Sequence, residues 1–109
     1  MNFRSTRVGK LIREELGKII VRELEFPNAL VTLTEVEIDK KLEHALVNVS
    51  VIPSSAAEKT LEKLKKSRGK LQHFLNNKLN IKPMPRIEFK IDRGPENAAN
   101  VEKRLLESQ

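Results

Sequence analysis

The chain has 109 residues, 39% hydrophobic and 4% aromatic, which predicts a single domain over residues 1–109 with one core of mainly aliphatic side chains. Its 21 Lys and Arg residues against 15 Asp and Glu give a formal net charge of +6, which favours a polyanionic partner such as nucleic acid. It has no cysteine, which excludes disulfides and thiolate chemistry. It also has no apolar run near the roughly 20 residues of a membrane span, so we expect a cytoplasmic protein with no membrane partner.

The first half of the chain predicts a helix followed by a β-hairpin. Residues 4–25 place apolar side chains at the three- and four-residue spacing of one helix face. Pro27 is expected to stop this helix, because the residue before a proline is disfavoured in the helical region. Val31–Ile38 and Ala45–Ile52 alternate as strands do, and the short polar connector between them predicts antiparallel pairing.

The segment Ser55–Leu79 is predicted to form two helices with an interruption between them. Ser55 and Glu58 have the spacing of a capping box, which indicates a helix start. The apolar stripe that follows would continue at Arg68, a residue unsuited to a core. We therefore predict a kink at Ser67, Arg68 and Gly69, because glycine permits backbone angles that other residues resist.

The last part of the chain predicts a third strand, Arg86–Ile91, in which Ile87, Phe89 and Ile91 share one face. Residues 92–109 are expected to turn and to form a possible short helix over 97–107. Three strands with apolar faces need a cover, and the amphipathic helices supply it. The predicted fold is therefore a two-layer α+β sandwich in the order α-β-β-α-kink-α-β.

The predicted kink carries the densest positive charge in the chain. Residues 59–70 hold six basic side chains and one acid, Glu62. A bend with this charge favours contact with a polyanion. The first helix has a second basic flank, which is the next choice for such a surface. The RNA-binding candidates are Lys65, Lys66, Arg68 and Lys70 at the kink, and Arg4, Arg7 and Lys10 on the first helix.

The sequence contains no set of residues typical of an enzyme. Catalysis requires a base, an acid or a metal-ligand set that converges on one point. His44 and His73 are isolated from each other and from any cysteine, and the four glycines form no phosphate-binding loop. We expect no catalytic residues, no metal, no cofactor and no small-molecule substrate.

With its elements in this order, the chain resembles the ribosome-binding factor A family. The resemblance extends over roughly residues 4–106, and each motif is weak alone, whereas their order and spacing are fairly specific. Ser67-Arg68-Gly69 stands where the family has an Ala-x-Gly kink. The family's Lys-Asp-Pro-Arg after the first helix is Glu25-Phe26-Pro27-Asn28 here, which is a departure. The other matching residues are Arg4, Arg7-Val8, Ile12, Glu15-Leu16, Ile19-Ile20, Glu23-Leu24, Val36, Leu42, Ala45, Val47, Val49, Ser50, Pro85, Ile87, Phe89, Asp92, Val101 and Leu105-Leu106.

The resemblance implies a KH-like fold of the second type without the Gly-x-x-Gly loop of ordinary KH domains. It also implies a factor that binds the immature small ribosomal subunit and its 16S rRNA, and we expect this factor to be a monomer. Such a factor assists late maturation and processing of the rRNA 5′ end without catalysis. Two alternatives remain open. One is a free-standing KH-type binder of single-stranded RNA, and the other is a protein-interaction module whose basic face serves solubility.

Overall fold

The computed structural model describes residues 3–94, with side chains from residue 5 onward. The helix predicted over 97–107 lies outside the described residues, as does most of the segment 92–109. The described elements, in chain order, are α1 (Phe3–Glu23), β1 (Leu30–Ile38), β2 (His44–Ile52), a short 3₁₀ turn (Ser54–Ala56), α2 (Ala57–Lys78) and β3 (Arg86–Ile91).

The three strands form one sheet in the order β1-β2-β3. β1 and β2 are antiparallel, as the hairpin prediction required, with Val36 opposite Val47. β2 and β3 are parallel, with Val47 opposite Phe89, so α2 is the crossover between them. The alternation of β2 is confirmed because Ala45, Val47, Val49 and Val51 are all buried.

Both helices lie on one face of this sheet and enclose the core between the two layers. Ile12 and Leu16 of α1 and Leu64, Leu71 and Leu75 of α2 have no exposed surface. Burial of such side chains stabilises the fold by about 1.5–3 kcal/mol each. The two-layer α+β sandwich is therefore confirmed, and its topology is KH-like. In the described part of the chain, no helix is both long and apolar enough to cross a membrane.

The predicted interruption of the second helix is wrong, because α2 is one continuous α-helix of 22 residues. Its buried positions include Thr60, Leu64, Leu71 and Leu75, and Arg68 lies half-buried within the same stripe. A long side chain can cover apolar surface with its methylene groups while its charged end reaches water. The apolar stripe therefore passes through Arg68 without a break in the helix, and the order of elements is α-β-β-α-β.

The predicted capping box is also wrong. Ser55 lies in the 3₁₀ turn, and the residue that precedes α2 is Ala56, which makes no side-chain cap hydrogen bond. Glu58 remains in the first turn of α2, where its negative charge interacts favourably with the helix dipole.

Side chains of both helices reach the outer edges of the sheet. At the β1 edge, Arg13 Nη1 donates a hydrogen bond to the carbonyl of Thr34 at 3.3 Å. At the β3 edge, the side-chain amide of Gln72 makes a pair of hydrogen bonds. Its Oε1 accepts from the Ile87 N–H at 2.8 Å, and its Nε2 donates to the Pro85 carbonyl at 3.1 Å.

An irregularity in β1 connects the two edges of the sheet. The register shifts between Leu33 and Glu35, which leaves Thr34 as the extra residue. The Thr34 hydroxyl donates a 2.8 Å hydrogen bond to the carboxylate of Asp92, which directly follows β3. The same carboxylate accepts the Gly94 N–H at 2.9 Å.

Candidate nucleic-acid interface

The basic residues of α2 divide between two flanks of the helix. Lys59, Lys63, Lys66 and Lys70 recur at four- and three-residue spacing and so share one flank. The contacts of Lys63 and Lys70 with residues 23–26 show that this flank faces the end of α1 and the connector after it. Arg68 is one turn before Gln72, so it lies on the opposite flank, toward β3.

Ion pairs occupy two of the four predicted α2 cations. Lys66 Nζ lies 3.0 Å from Glu62 one turn earlier, and Lys70 Nζ lies 3.3 Å from Glu23 of α1. Within residues 3–94, neither Lys65 nor Arg68 has a hydrogen bond or an ion pair. An unpaired cation can neutralise a phosphate without first losing an internal partner. Of the four predicted α2 cations, Lys65 and Arg68 are therefore the two that no described partner occupies.

Glu23 joins the ends of the two helices through two cations. Its carboxylate lies 2.8 Å from Arg22 Nε and 3.3 Å from Lys70 Nζ. The hydrogen bond from Arg22, and then that from Lys70, lower the pKa of Glu23 below its usual value. The guanidinium of Arg22 also lies 5.0 Å from the ring centroid of Phe74 on α2. Lys70 therefore belongs to a contact that joins the end of α1 to α2.

Gly69 forms a bare position on α2 next to the unpaired cations. It is exposed within the continuous helix, and a Cβ built on it would meet no atom within 4 Å. Its φ is not positive, so the backbone does not require glycine here. Glycine in a helix interior is less favourable than alanine by about 1 kcal/mol. Gly69 thus costs stability and, in the described part of the chain, gains no packing contact.

The predicted α1 candidates do not join the α2 cluster. The C-terminal end of α1 meets α2 through Glu23 and Lys70, whereas Arg7 and Lys10 lie toward the other end of α1. At 1.5 Å per residue, Lys10 is about 20 Å along the helix from Glu23. Lys10 instead lines a cavity of about 310 Å³ between α1 and β1, together with Arg13 and Glu35. The side chain of Arg4 is outside the described set.

A second concave site, which the sequence did not indicate, lies where the connector after α1 meets the start of α2. Phe26 and Asn28 line one side of a cavity of about 220 Å³, and Lys59, Thr60 and Lys63 line the other. Lys63 Nζ donates to the carbonyl of Glu25 and lies 5.1 Å from the ring centroid of Phe26. Lys59 and Lys63 belonged to the basic run seen in the sequence, but nothing there indicated that Phe26 would meet them.

The hairpin turn brings together the only group of possible metal ligands found among residues 3–94. Donor atoms of Asp39, Glu43 and His44 lie within 4.8 Å of one another. Oδ1 of Asp39 accepts the backbone N–H groups of Glu43 and His44 at 2.7 and 3.2 Å. These bonds account for the position of the carboxylate as part of the turn.

Comparison with known proteins gives one consistent family. The family model described as ribosome-binding factor A matches residues 4–105. The chain belongs to the ribosome-binding factor A family. A relative of that name from Akkermansia muciniphila is 35% identical over 92 residues, which cover 84% of this chain and 74% of the relative.

Solved structures of the family share the fold. The crystal structure of ribosome-binding factor A from Thermus thermophilus aligns with a TM-score of 0.71 at 22% identity, over 83% of this chain and 98% of that one. A homology model of the Thermus thermophilus factor, fitted into a cryo-electron microscopy map of a 30S complex, aligns with a TM-score of 0.64 at 23% identity. That alignment covers 77% of this chain and 90% of the other.

Proposed function

We propose that this protein is a monomeric assembly factor that binds the immature small ribosomal subunit in the cytoplasm. Its binding surface is the exposed side of α2 around Lys65, Arg68 and Gly69, and its ligand is the phosphate backbone of the 16S rRNA. It acts by occupancy, holding the RNA in one arrangement during late maturation and processing of the 5′ end. It performs no chemistry itself, and it needs no metal or cofactor.

The observation that carries this proposal is that two cations without an internal partner among the described residues lie beside a helix position that has no side chain. Lys65 and Arg68 have no internal partner within residues 3–94, and Gly69 adjoins them with no side chain above the backbone. A glycine allows the backbone of a ligand to approach closely, at a cost in helix stability that folding alone does not repay. A ribose-phosphate backbone that rests on Gly69 would place its phosphates beside these two cations.

Family membership supports the choice of the small subunit as the particle, as does the complex of the Thermus thermophilus factor with 30S. A role of Lys66 in the same contact is compatible with its ion pair, because both Lys66 and Glu62 are exposed. Exposed ion pairs are worth about 0–1 kcal/mol, so RNA can displace this one. Arg7 and Lys10 would form a separate contact at the far end of α1.

Co-sedimentation with ribosomal particles tests the proposal. The protein is expected to migrate with free small subunits in preference to large subunits or assembled ribosomes. The double variant Lys65→Gln, Arg68→Gln should lose most of this binding while it remains folded, because both side chains lack internal partners. Equal partition among all three particles would indicate only generic electrostatic attraction and would contradict an assembly role.

The processing role needs a separate measurement in cells. A strain that lacks the protein is expected to accumulate precursor 16S rRNA with an extended 5′ end. The wild-type chain should restore the mature end, and the Lys65→Gln, Arg68→Gln variant should not. A deletion strain with normal 5′ ends would restrict the function to binding.

A further inference from the structure

We propose that the cavity beside Phe26 is a pocket for one unpaired nucleobase of an RNA strand with a phosphate on Lys59. This inference rests on the proposed function, since it adds a base-binding contact to the same RNA-binding helix. The pocket is formed by the connector Glu25–Ala29 together with the first two turns of α2.

The size of the cavity fits a single base. Its volume is about 220 Å³, below the roughly 300–1,000 Å³ of pockets that enclose a drug-sized ligand. It is open to solvent on one side, so a strand can pass over it and insert one ring. Duplex RNA keeps its bases stacked and paired and cannot offer one to such a cavity without local opening.

The lining has the composition that base recognition requires. Phe26 is half-buried against the core with Lys63 Nζ over its ring, and the part of the ring that remains exposed offers an aromatic surface on which any base can stack. Asn28 and Thr60 bring an amide and a hydroxyl to the same cavity, and these groups can donate to or accept from the edge of a base. Pro27 and Ala29 complete an apolar wall.

The charges beside the cavity favour a nucleotide over an apolar side chain of a protein partner. Lys59 and Lys63 are one turn apart on the same flank and both line the cavity. Lys63 is held by the Glu25 carbonyl against the Phe26 ring, while Lys59 is exposed and has no ion pair within residues 3–94. Glu25 is the acidic residue among those that line the cavity, and it is exposed to solvent.

The pocket is also connected with the proposed RNA surface across the exposed side of α2. Lys59, Lys63 and Lys66 lie on the flank of α2 that faces α1, whereas Lys65, two residues after Lys63, lies on the other flank with Arg68. Lys59 and Lys63 are four residues apart, which is about 6 Å along the helix axis and close to the spacing between successive phosphates of a single strand. One strand that crosses the exposed side of α2 can place a base at Phe26 and continue to Lys65 and Gly69.

Phe74 provides a matched control within the same chain. It is also a half-buried phenylalanine with a cation near its ring, Arg22 at 5.0 Å. Unlike Lys59, however, Arg22 is already ion-paired with Glu23, and Lys18 in the neighbouring cavity is paired with Glu15. Phe26→Leu and Phe74→Leu therefore remove the same ring from two sites of which one is proposed to bind RNA.

The experiment compares binding of a single-stranded RNA of ten nucleotides with binding of a duplex of the same sequence. Phe26→Leu is expected to weaken single-strand binding by roughly 10-fold or more, as loss of one stacked base does, and to leave duplex binding within about 2-fold of the wild type. Phe74→Leu should bind both RNAs like the wild type. Photo-crosslinking with 5-iodouracil in the single strand should label the connector peptide that contains Phe26.

A second variant covers the case in which Phe26→Leu fails to fold. Lys59→Gln changes an exposed side chain, and it should lower the salt dependence of single-strand binding by about one phosphate contact. Normal single-strand binding by both variants, or a crosslink elsewhere, would overturn the pocket. Loss of binding in Lys65→Gln, Arg68→Gln alone would then leave the proposed function standing. If the wild type binds no RNA, both proposals fail.

Discussion

The α-carbon of Gly9 packs directly against the backbone carbonyl of Val36, and a Cβ added to Gly9 would lie 2.9 Å from that oxygen. This is the closest approach that any described glycine makes, and it is what allows α1 to lie against β1. Because the obstacle is backbone, it cannot rotate away. Gly9→Ala should therefore destabilise the protein by about 1–3 kcal/mol, as overpacking does. Urea unfolding measures the change.

Gly17 is the control for this prediction, because it lies in the same helix with nothing within 4 Å of its Cβ position. Gly17→Ala should stabilise the protein by about 1 kcal/mol through helix propensity alone. If Gly9→Ala and Gly17→Ala change the free energy of unfolding in the same direction, the prediction that a Cβ at Gly9 clashes with the Val36 carbonyl is wrong.

Gly69→Ala should separate stability from binding. Because φ at Gly69 is not positive and its Cβ position is open, alanine should stabilise the helix by about 1 kcal/mol. The added methyl group should nevertheless weaken binding to small subunits, because it would keep the RNA backbone from approaching the helix as closely as the proposal requires. Thermal melting and co-sedimentation of the same sample test both parts. A more stable variant that binds subunits normally would remove Gly69 from the interface.

Paired and unpaired cations of α2 should differ in their effect on RNA binding. Lys65→Gln with Arg68→Gln should lower the salt dependence of binding by about two phosphate contacts. Lys66→Gln with Lys70→Gln removes the same charge but from side chains already 3.0 and 3.3 Å from carboxylates, so its effect should be smaller. Titration of RNA at several salt concentrations distinguishes the two. The opposite ranking would show that ion pairing inside the protein does not decide which cations meet RNA.

The Asp92 carboxylate should make stability depend on pH in the acid range. The Gly94 N–H and then the Thr34 hydroxyl lower its pKa in the folded protein. Because folding lowers this pKa, the ionised Asp92 carboxylate contributes its full stabilisation at pH values above the unfolded-state pKa, which is near 3.9. It is lost as the pH falls through the lower folded-state value. Urea unfolding between pH 7 and pH 2 should show a shallower acid loss for Asp92→Asn than for the wild type.

A matched control for Asp92 is Thr34→Val, which removes the hydroxyl donor and keeps the carboxylate. It should reduce the acid-dependent loss only in part, because the Gly94 N–H still binds the carboxylate. Identical pH profiles for the wild type and Asp92→Asn would assign the acid sensitivity to other carboxylates, with Glu23 as the next to change.

The sequence predicted the sheet well because its signal is local. Ala45, Val47, Val49 and Val51 alternate with neighbours on the other face, and a period of two has one physical interpretation. Arg68 misled the prediction of α2, because a charged residue within an apolar stripe was interpreted as a break. The arginine side chain is long enough to cover the stripe with its methylene groups, so the helix continues through this position.

The candidate site was predictable only as a region. The concentration of lysines in α2 is visible in the sequence, but the partners of those lysines come from other elements. Glu23 reaches Lys70 from α1, and the Glu25 carbonyl and Phe26 reach Lys63 from the connector. Such contacts depend on the packing angle of two helices. Which cations remain unpaired, and that Phe26 lines a cavity, could therefore be learned only from the structure.

The Gln72 amide has a consequence for the alignment of β3 with the rest of the sheet. Alternation of apolar residues opposes a slip by one residue, which would turn Ile87 and Phe89 toward water, but it does not oppose a slip by two. Gln72 offers one acceptor and one donor at fixed separation, and these match the Ile87 N–H and the Pro85 carbonyl. A shift by two would bring other backbone groups to the amide and carry Pro85 past it. One side chain of the crossover helix thus selects between alignments that hydrophobicity alone leaves equivalent.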